Sequence, residues 1–98
     1  MSDLRFVWDA GKATANERKH GVTFDEARTA FADEHALLLD DPDHSMPTED
    51  RFILLGLSGA LRLLVVVHAY RDPGAVIRLI SARRATRTER ATYAARLR

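Results

Sequence analysis

Apolar residues are densest between residues 51 and 81, where they form three runs, 51–57, 61–70 and 75–81, separated by Ser58-Gly59-Ala60 and Arg71-Asp72-Pro73-Gly74. Runs of this length, rich in Leu, Ile and Val and joined by short turn formers, predict three strands in an antiparallel meander. Period-two alternation puts Arg62, Leu64, Val66 and His68 on one face of the middle run and Leu63, Val65 and Val67 on the other. In the last run it groups Val76, Arg78, Ile80 and Ala82 against Ile77, Leu79, Ser81 and Arg83. Both faces of the middle run are apolar, which an antiparallel sheet with one wet face does not need. Helices are expected over one face, and the last helix or a partner protein over the other.

Upstream the apolar positions are sparser. Residues 4–8 read as a first strand and 36–39 as a second. Asp9 is placed to cap a helix over 10–19, and Gly21 to stop it. Thr23-Phe24-Asp25-Glu26 has the form of a capping box opening a second helix, with Ala27, Ala30 and Phe31 as its buried stripe. Thr86-Arg87-Thr88-Glu89 has the same form and opens a last helix towards residue 97. Residues 40–47, with two prolines and several turn formers, predict a surface loop. Phe6, Trp8, Phe24 and Phe31 are expected in the core. The pattern predicts one α+β domain over 1–98, in the order strand, helix, helix, strand, strand, strand, strand, helix, with an antiparallel sheet.

Composition narrows the chemistry. Apolar residues at 46% and charged residues at 30% exclude intrinsic disorder. With no cysteine, disulfide scaffolds, cysteine-ligated zinc and thiol catalysis fall away. The longest apolar run, 63–67, is far short of the roughly 20 residues of a membrane span, and residues 1–5 lack signal-peptide character, so a cytoplasmic protein is expected. The net charge of +1 hides a division: residues 1–50 carry 5 Lys/Arg against 12 Asp/Glu, and residues 51–98 carry 10 against 2. A basic half suits a polyanionic partner, unless the two halves neutralise each other within the fold.

Arg78, Arg83, Arg84 and Arg87, with Ser81 and Thr86, stand where a strand feeds a helix start. Arginine's planar fork and the free N–H groups of a helix start both suit phosphate. Arg87, Arg90, Arg96 and Arg98 read as a solvated helix face, whereas Arg78 and Arg83, within or at the end of a strand, call for a specific anionic partner. His20 and His68 titrate in the range useful for RNA cleavage, in which a base takes the 2′-hydroxyl proton and an acid protonates the leaving 5′-oxygen. His20 can equally sit on a helix C-terminal dipole, and His68 can be a hydrogen-bonded edge residue. Asp40, Asp41, Asp43 and His44 lack calcium-loop spacing and are interrupted by proline, so they read as a solvated loop. No phosphate-cradling glycine motif and no nucleophile elbow are present, and no metal or other cofactor is expected.

The sequence resembles the BrnT family, ribonuclease toxins of type II toxin-antitoxin modules. The likeness is carried by Phe6-Val7-Trp8-Asp9 with Lys12 and Asn16, and by Lys19-His20-Gly21-Val22-Thr23-Phe24 with Glu26-Ala27. It continues through Glu49, Arg51, Gly56 and Leu64-Val65-Val66-Val67 to Arg78-Leu79-Ile80-Ser81-Ala82-Arg83 with Ala85, Glu89 and Tyr93. Where the family places threonine after His68, this chain has Ala69. The resemblance implies a RelE-like fold, metal-independent endoribonuclease activity that blocks translation, and neutralisation by a BrnA-type antitoxin, through which alone DNA would be contacted. On that basis Arg51, Arg78 and Arg83 are expected to bind the scissile phosphate, and His20 and His68 to move protons. Lys19, Arg62, Ser81, Arg84 and Tyr93 are expected to contact the substrate, Tyr93 as a stacking platform or a weaker proton donor. The rival classes are a non-catalytic module that holds nucleic acid or an acidic protein with the basic half, and a structural subunit that dimerises through its apolar sheet face.

Overall fold

Five strands form one sheet in the order β1-β5-β4-β3-β2, with β1 at Arg5–Val7, β2 at Leu37–Asp40, β3 at Arg51–Leu57, β4 at Leu63–Arg71 and β5 at Val76–Arg84. The computed structural model describes residues 4–41, 50–71 and 75–97. Helices α1 (Ala10–His20) and α2 (Phe24–Thr29), followed by a single 3₁₀ turn at Ala30–Ala32, connect β1 to β2, and α3 (Arg87–Arg96) follows β5. The meander is present as β3, β4 and β5.

The sheet is mixed, not wholly antiparallel as the sequence suggested: β1 pairs with β5 in parallel, Arg5 opposite Val76 and Val7 opposite Arg78. Its position explains the difference. Tight turns impose antiparallel pairing only on strands they join directly, and two helices and three strands separate β1 from β5 along the chain.

Local chemistry sets the helix ends. Asp9 accepts the Lys12 N–H at 2.8 Å, and Gly21 ends α1 in the left-handed region at φ 69°. At α2, Thr23 Oγ accepts the Glu26 N–H, but the Glu26 carboxylate does not return to close the expected box; it binds Arg62 and Ser58 instead. At α3 the box is complete, Thr86 and Glu89 satisfying each other's backbone N–H.

One face of the sheet is dry. Val22, Phe24, Ala27 and Ala30 pack on Leu54, Leu64, Val66, Ile77, Leu79 and Ala82, with Phe6, Trp8 and Phe31 half-buried around them. Gly56 lets the 3₁₀ turn approach, since a Cβ there would meet the Ala30 carbonyl oxygen at 3.0 Å. α1 contributes little apolar surface to this layer and is held by an amide. Asn16 donates to the Val22 and Ala82 carbonyls at 3.0 and 2.9 Å and accepts the Ala82 N–H at 3.0 Å. Because β1 ends opposite Arg78, the outward backbone groups of β5 beyond it need another partner, and Asn16 supplies both halves of one.

The other face is only partly covered. α3 lies over one end, where Tyr93 joins Leu55, Leu63 and Val65. Polar tethers hold the helix: Arg83 forks onto Glu89 at 2.9 Å twice, Tyr93 donates to Asp33 at 2.6 Å, and Arg96 Nε donates to the His35 carbonyl at 3.0 Å.

β5 departs from strict alternation. Val67 faces Ser81, but the next β4 residue, His68, faces Leu79, so Ile80 is an extra residue. The face assignment read from the sequence therefore breaks at this point. Arg78 pairs with Ala69, Ser81 with Val67 and Arg83 with Val65, all on the open face, while Ile77, Leu79 and Ala82 turn into the core. Simple alternation put Arg78 and Arg83 on opposite faces; the bulge brings them to one.

Candidate active site

Three cross-strand rows build the open face. Arg51, Ala69 and Arg78 form the first, from β3, β4 and β5. Ile53, Val67 and Ser81 form the second, and Leu55, Val65 and Arg83 the third. Ala69 is small and fully buried, so two guanidinium-bearing side chains flank a flat floor. Their Nε atoms lie out of contact with solvent. Guanidinium groups held on a sheet face suit the oxygens of a phosphate.

A cleft of about 260 Å³ opens on this face, lined by Asp41, Arg51, Ile53, Val65, Val67, Ile80, Ser81 and Arg83. Asp41 is the residue that sequence reasoning passed over. It was grouped with a solvated loop, yet it is buried, with its backbone N–H on the Arg51 carbonyl. Its signal in the sequence is the two-residue alternation that continues from Leu37 and Leu39 to Asp41. Asp43 and His44 of the same group lie outside the described residues.

Arg83 stands at the inner edge of the cleft with its fork on Glu89, which raises the arginine's pKa and pulls the glutamate well down, to about 2. The remaining guanidinium hydrogens of Arg83 stay available to a second anion. One face thus gathers Arg51, Arg78, Ser81, Arg83 and a carboxylate.

The histidines are elsewhere. His68 is fully buried on the helical face, edge-on to Phe31 at 4.8 Å between ring centres and beside Phe52 and Tyr70. Its Nδ1 contacts the Val66 carbonyl at 3.1 Å and its Nε2 the Tyr70 hydroxyl at 3.4 Å. A carbonyl can only accept, so the ring is the Nδ1–H tautomer and Nε2 takes the tyrosine proton. Burial, opposed weakly by the Val66 bond, holds its pKa below the usual histidine range. Lys19 and His20 end α1, on the helical side of the sheet.

The remaining candidates also divide. Arg62 is bound to Glu26 and the Gly21 carbonyl, an ion pair joining the acidic and basic halves. Tyr93 is buried with its hydroxyl on Asp33, and burial followed by that bond pushes its pKa up to about 12, so it offers no stacking surface and no labile proton. Arg84 ends β5 and lines a neighbouring groove instead of the cleft. Among the described residues no cluster of three metal-ligating side chains occurs, and no helix is long and apolar enough to cross a membrane.

A mixed sheet backed by helices in this arrangement has a counterpart among solved structures. The fold is similar to that of the Brucella abortus ribonuclease toxin BrnT, at a TM-score of 0.63 and 22% identity, over 86% of this chain and 99% of that one. No curated protein sequence matches. A family profile described as "Ribonuclease toxin, BrnT, of type II toxin-antitoxin system" matches residues 8–89, a span that holds every residue of the cleft. The chain belongs to the BrnT family of ribonuclease toxins.

Proposed function

We propose that this protein is a toxin that cuts RNA on the open face of its sheet without a metal ion, stops translation in the cytoplasm, and is neutralised by a BrnA-type antitoxin. The fold is read as RelE-like. The observation that carries the site is the convergence of Arg51, Arg78 and Arg83 on one face, which exists only because of the bulge at Ile80.

In the proposed reaction Arg51 and Arg78 bind the scissile phosphodiester across Ala69, and Arg83 and Ser81 hold the adjoining part of the strand. Asp41, in the same cleft, takes the proton of the 2′-hydroxyl. The 2′-oxygen attacks phosphorus and the bond to the 5′-oxygen breaks, the leaving oxygen taking a proton from water. The products are a 2′,3′-cyclic phosphate and a 5′-hydroxyl. Charge grows on the phosphoryl oxygens as the bonds exchange, and fixed guanidinium groups stabilise it more in the transition state than in the bound RNA. Buried and neutral, His68 positions β4 from behind, and Arg62 and Tyr93 hold the scaffold.

The test is to incubate the purified chain with RNA in the presence of EDTA, resolve the products, and follow growth when the chain is expressed alone. Cleavage with cyclic-phosphate ends, together with growth arrest, is expected. Asp41→Asn should lower the cleavage rate while RNA binding is kept. RNA that is bound in a salt-dependent way but left whole would point instead to a non-catalytic binding module.

A further inference from the structure

Beside the cleft, where the β3–β4 turn meets α3, lies a second and larger cavity of about 480 Å³. Leu57, Leu61, Leu63, Tyr93 and Ala94 line it together with Arg62, Arg84 and Arg90. Its walls combine apolar and cationic side chains, and no carboxylate lines it among the described residues. Arg62 is already engaged by Glu26, whereas Arg84 and Arg90 reach solvent.

The turn that forms one wall is unusual. Leu61 adopts φ 63°, a left-handed conformation that suits glycine or asparagine, and it is 79% exposed. A branched apolar side chain in that region carries a conformational cost of roughly 1–2 kcal/mol, and here no burial offsets it. Within the isolated chain this leucine therefore stabilises nothing that glycine would not. An apolar side chain held out at such a turn is available for contact with something outside the chain.

We infer that this groove is the docking site of the antitoxin, and that it receives an acidic segment carrying an apolar side chain. The apolar group packs among Leu57, Leu61 and Leu63, and flanking carboxylates pair with Arg84 and Arg90. An RNA strand is a poorer occupant, because its bases want an exposed aromatic face, and the one ring here, Tyr93, is turned inward onto Asp33. A protein segment uses both the leucines and the arginines. This docking rests on the toxin-antitoxin assignment above and adds to it the surface and the chemistry of the partner.

The experiment titrates the full chain with purified antitoxin from its own operon, by calorimetry and by the antitoxin concentration that half-inhibits RNA cleavage. Three forms are compared: wild type, Leu61→Gly and Arg90→Glu. Leu61→Gly removes the anchor while relieving the backbone, so its Tm should hold or rise as antitoxin affinity falls by at least about tenfold. Arg90→Glu should weaken binding by a similar factor, more at low salt than at high. Cleavage by the free variants should stay at the wild-type rate. Affinities within twofold of wild type for both variants would overturn the docking site but leave the toxin assignment standing. Loss of RNA cleavage with antitoxin affinity kept would make the groove an RNA surface. An antitoxin that failed to bind even the wild-type chain would remove the toxin-antitoxin reading and the docking site with it.

Discussion

The two faces of the sheet share the same strands and differ in almost everything else. On the helical face Leu64, Val66, Ile77, Leu79 and Ala82 are sealed by Phe24, Val22, Ala27 and Ala30, and the polar groups there, Asn16 and His68, have hydrogen bonds to nearby backbone. On the open face charged side chains replace that lid, in rows set by strand register. A sheet face becomes a site where its cover stops, and what is kept there is chosen for a ligand and not for packing.

That contrast breaks most sharply at Arg78. Arg78→Ala should lower RNA cleavage roughly 10²- to 10³-fold in a single-turnover assay, while cooperative thermal unfolding is retained. A protein that unfolded instead would show the arginine to be structural. His68→Gln should do the reverse: a loss of about 2 kcal/mol in denaturant unfolding, with the cleavage rate of folded protein little changed. The native pKa of His68 is depressed, so the unfolded chain binds the proton more readily. Its stabilising contribution is complete above about pH 6.5 and is lost as pH falls below that value, and the variant should lack this slope. A large fall in kcat on this substitution would put the chemistry on the wrong face.

Glu89 sharpens the comparison from the edge, since it ties α3 to the open face through Arg83. Glu89→Gln should cost about 1 kcal/mol at neutral pH, measured by unfolding. Its carboxyl is depressed from 4.5 to about 2 in the folded chain, so the wild type's advantage should be complete above about pH 4.5 and should shrink as pH falls towards 2. Gly21→Ala should have the smallest effect, about 1 kcal/mol or less. A Cβ there meets no atom within 4 Å, which leaves only the left-handed φ to resist it, and cleavage should not change.

Much of this architecture was legible because its signals are local. Asp9 and Gly21 bracket α1, Thr86 and Glu89 open α3, and short turn formers mark β3, β4 and β5 as a meander. Features that depend on distant partners were not. The direction of β1 is set by an edge of β5 some 70 residues away in sequence, and Glu26 leaves its own helix for Arg62, 36 positions on. For the site, residue type identified Arg51, Arg78 and Arg83, but alternation misplaced two of them relative to each other, since a bulge has no marker in a run such as Leu79-Ile80-Ser81. Residue type also favoured His68, which is buried against two aromatic rings contributed by other segments, Phe31 and Phe52. Asp41 failed in the opposite sense: a run of acids looks like solvated loop until the fold closes over one of them.

The supernumerary Ile80 makes β5 a matter of parity. In a two-residue repeat an odd number of steps changes face, and the five steps from Arg78 to Arg83 return to one face because the bulge absorbs one of them. Deleting Ile80 would leave four steps and a regular ladder, with Ser81 and Arg83 still opposite Val67 and Val65, whereas deleting Ala82 would carry Arg83 beneath the helices and take away Asn16's partner. Exchanging Ile80 for another side chain leaves the count intact. Past the bulge, the number of residues in this strand matters more than the identity of the odd one.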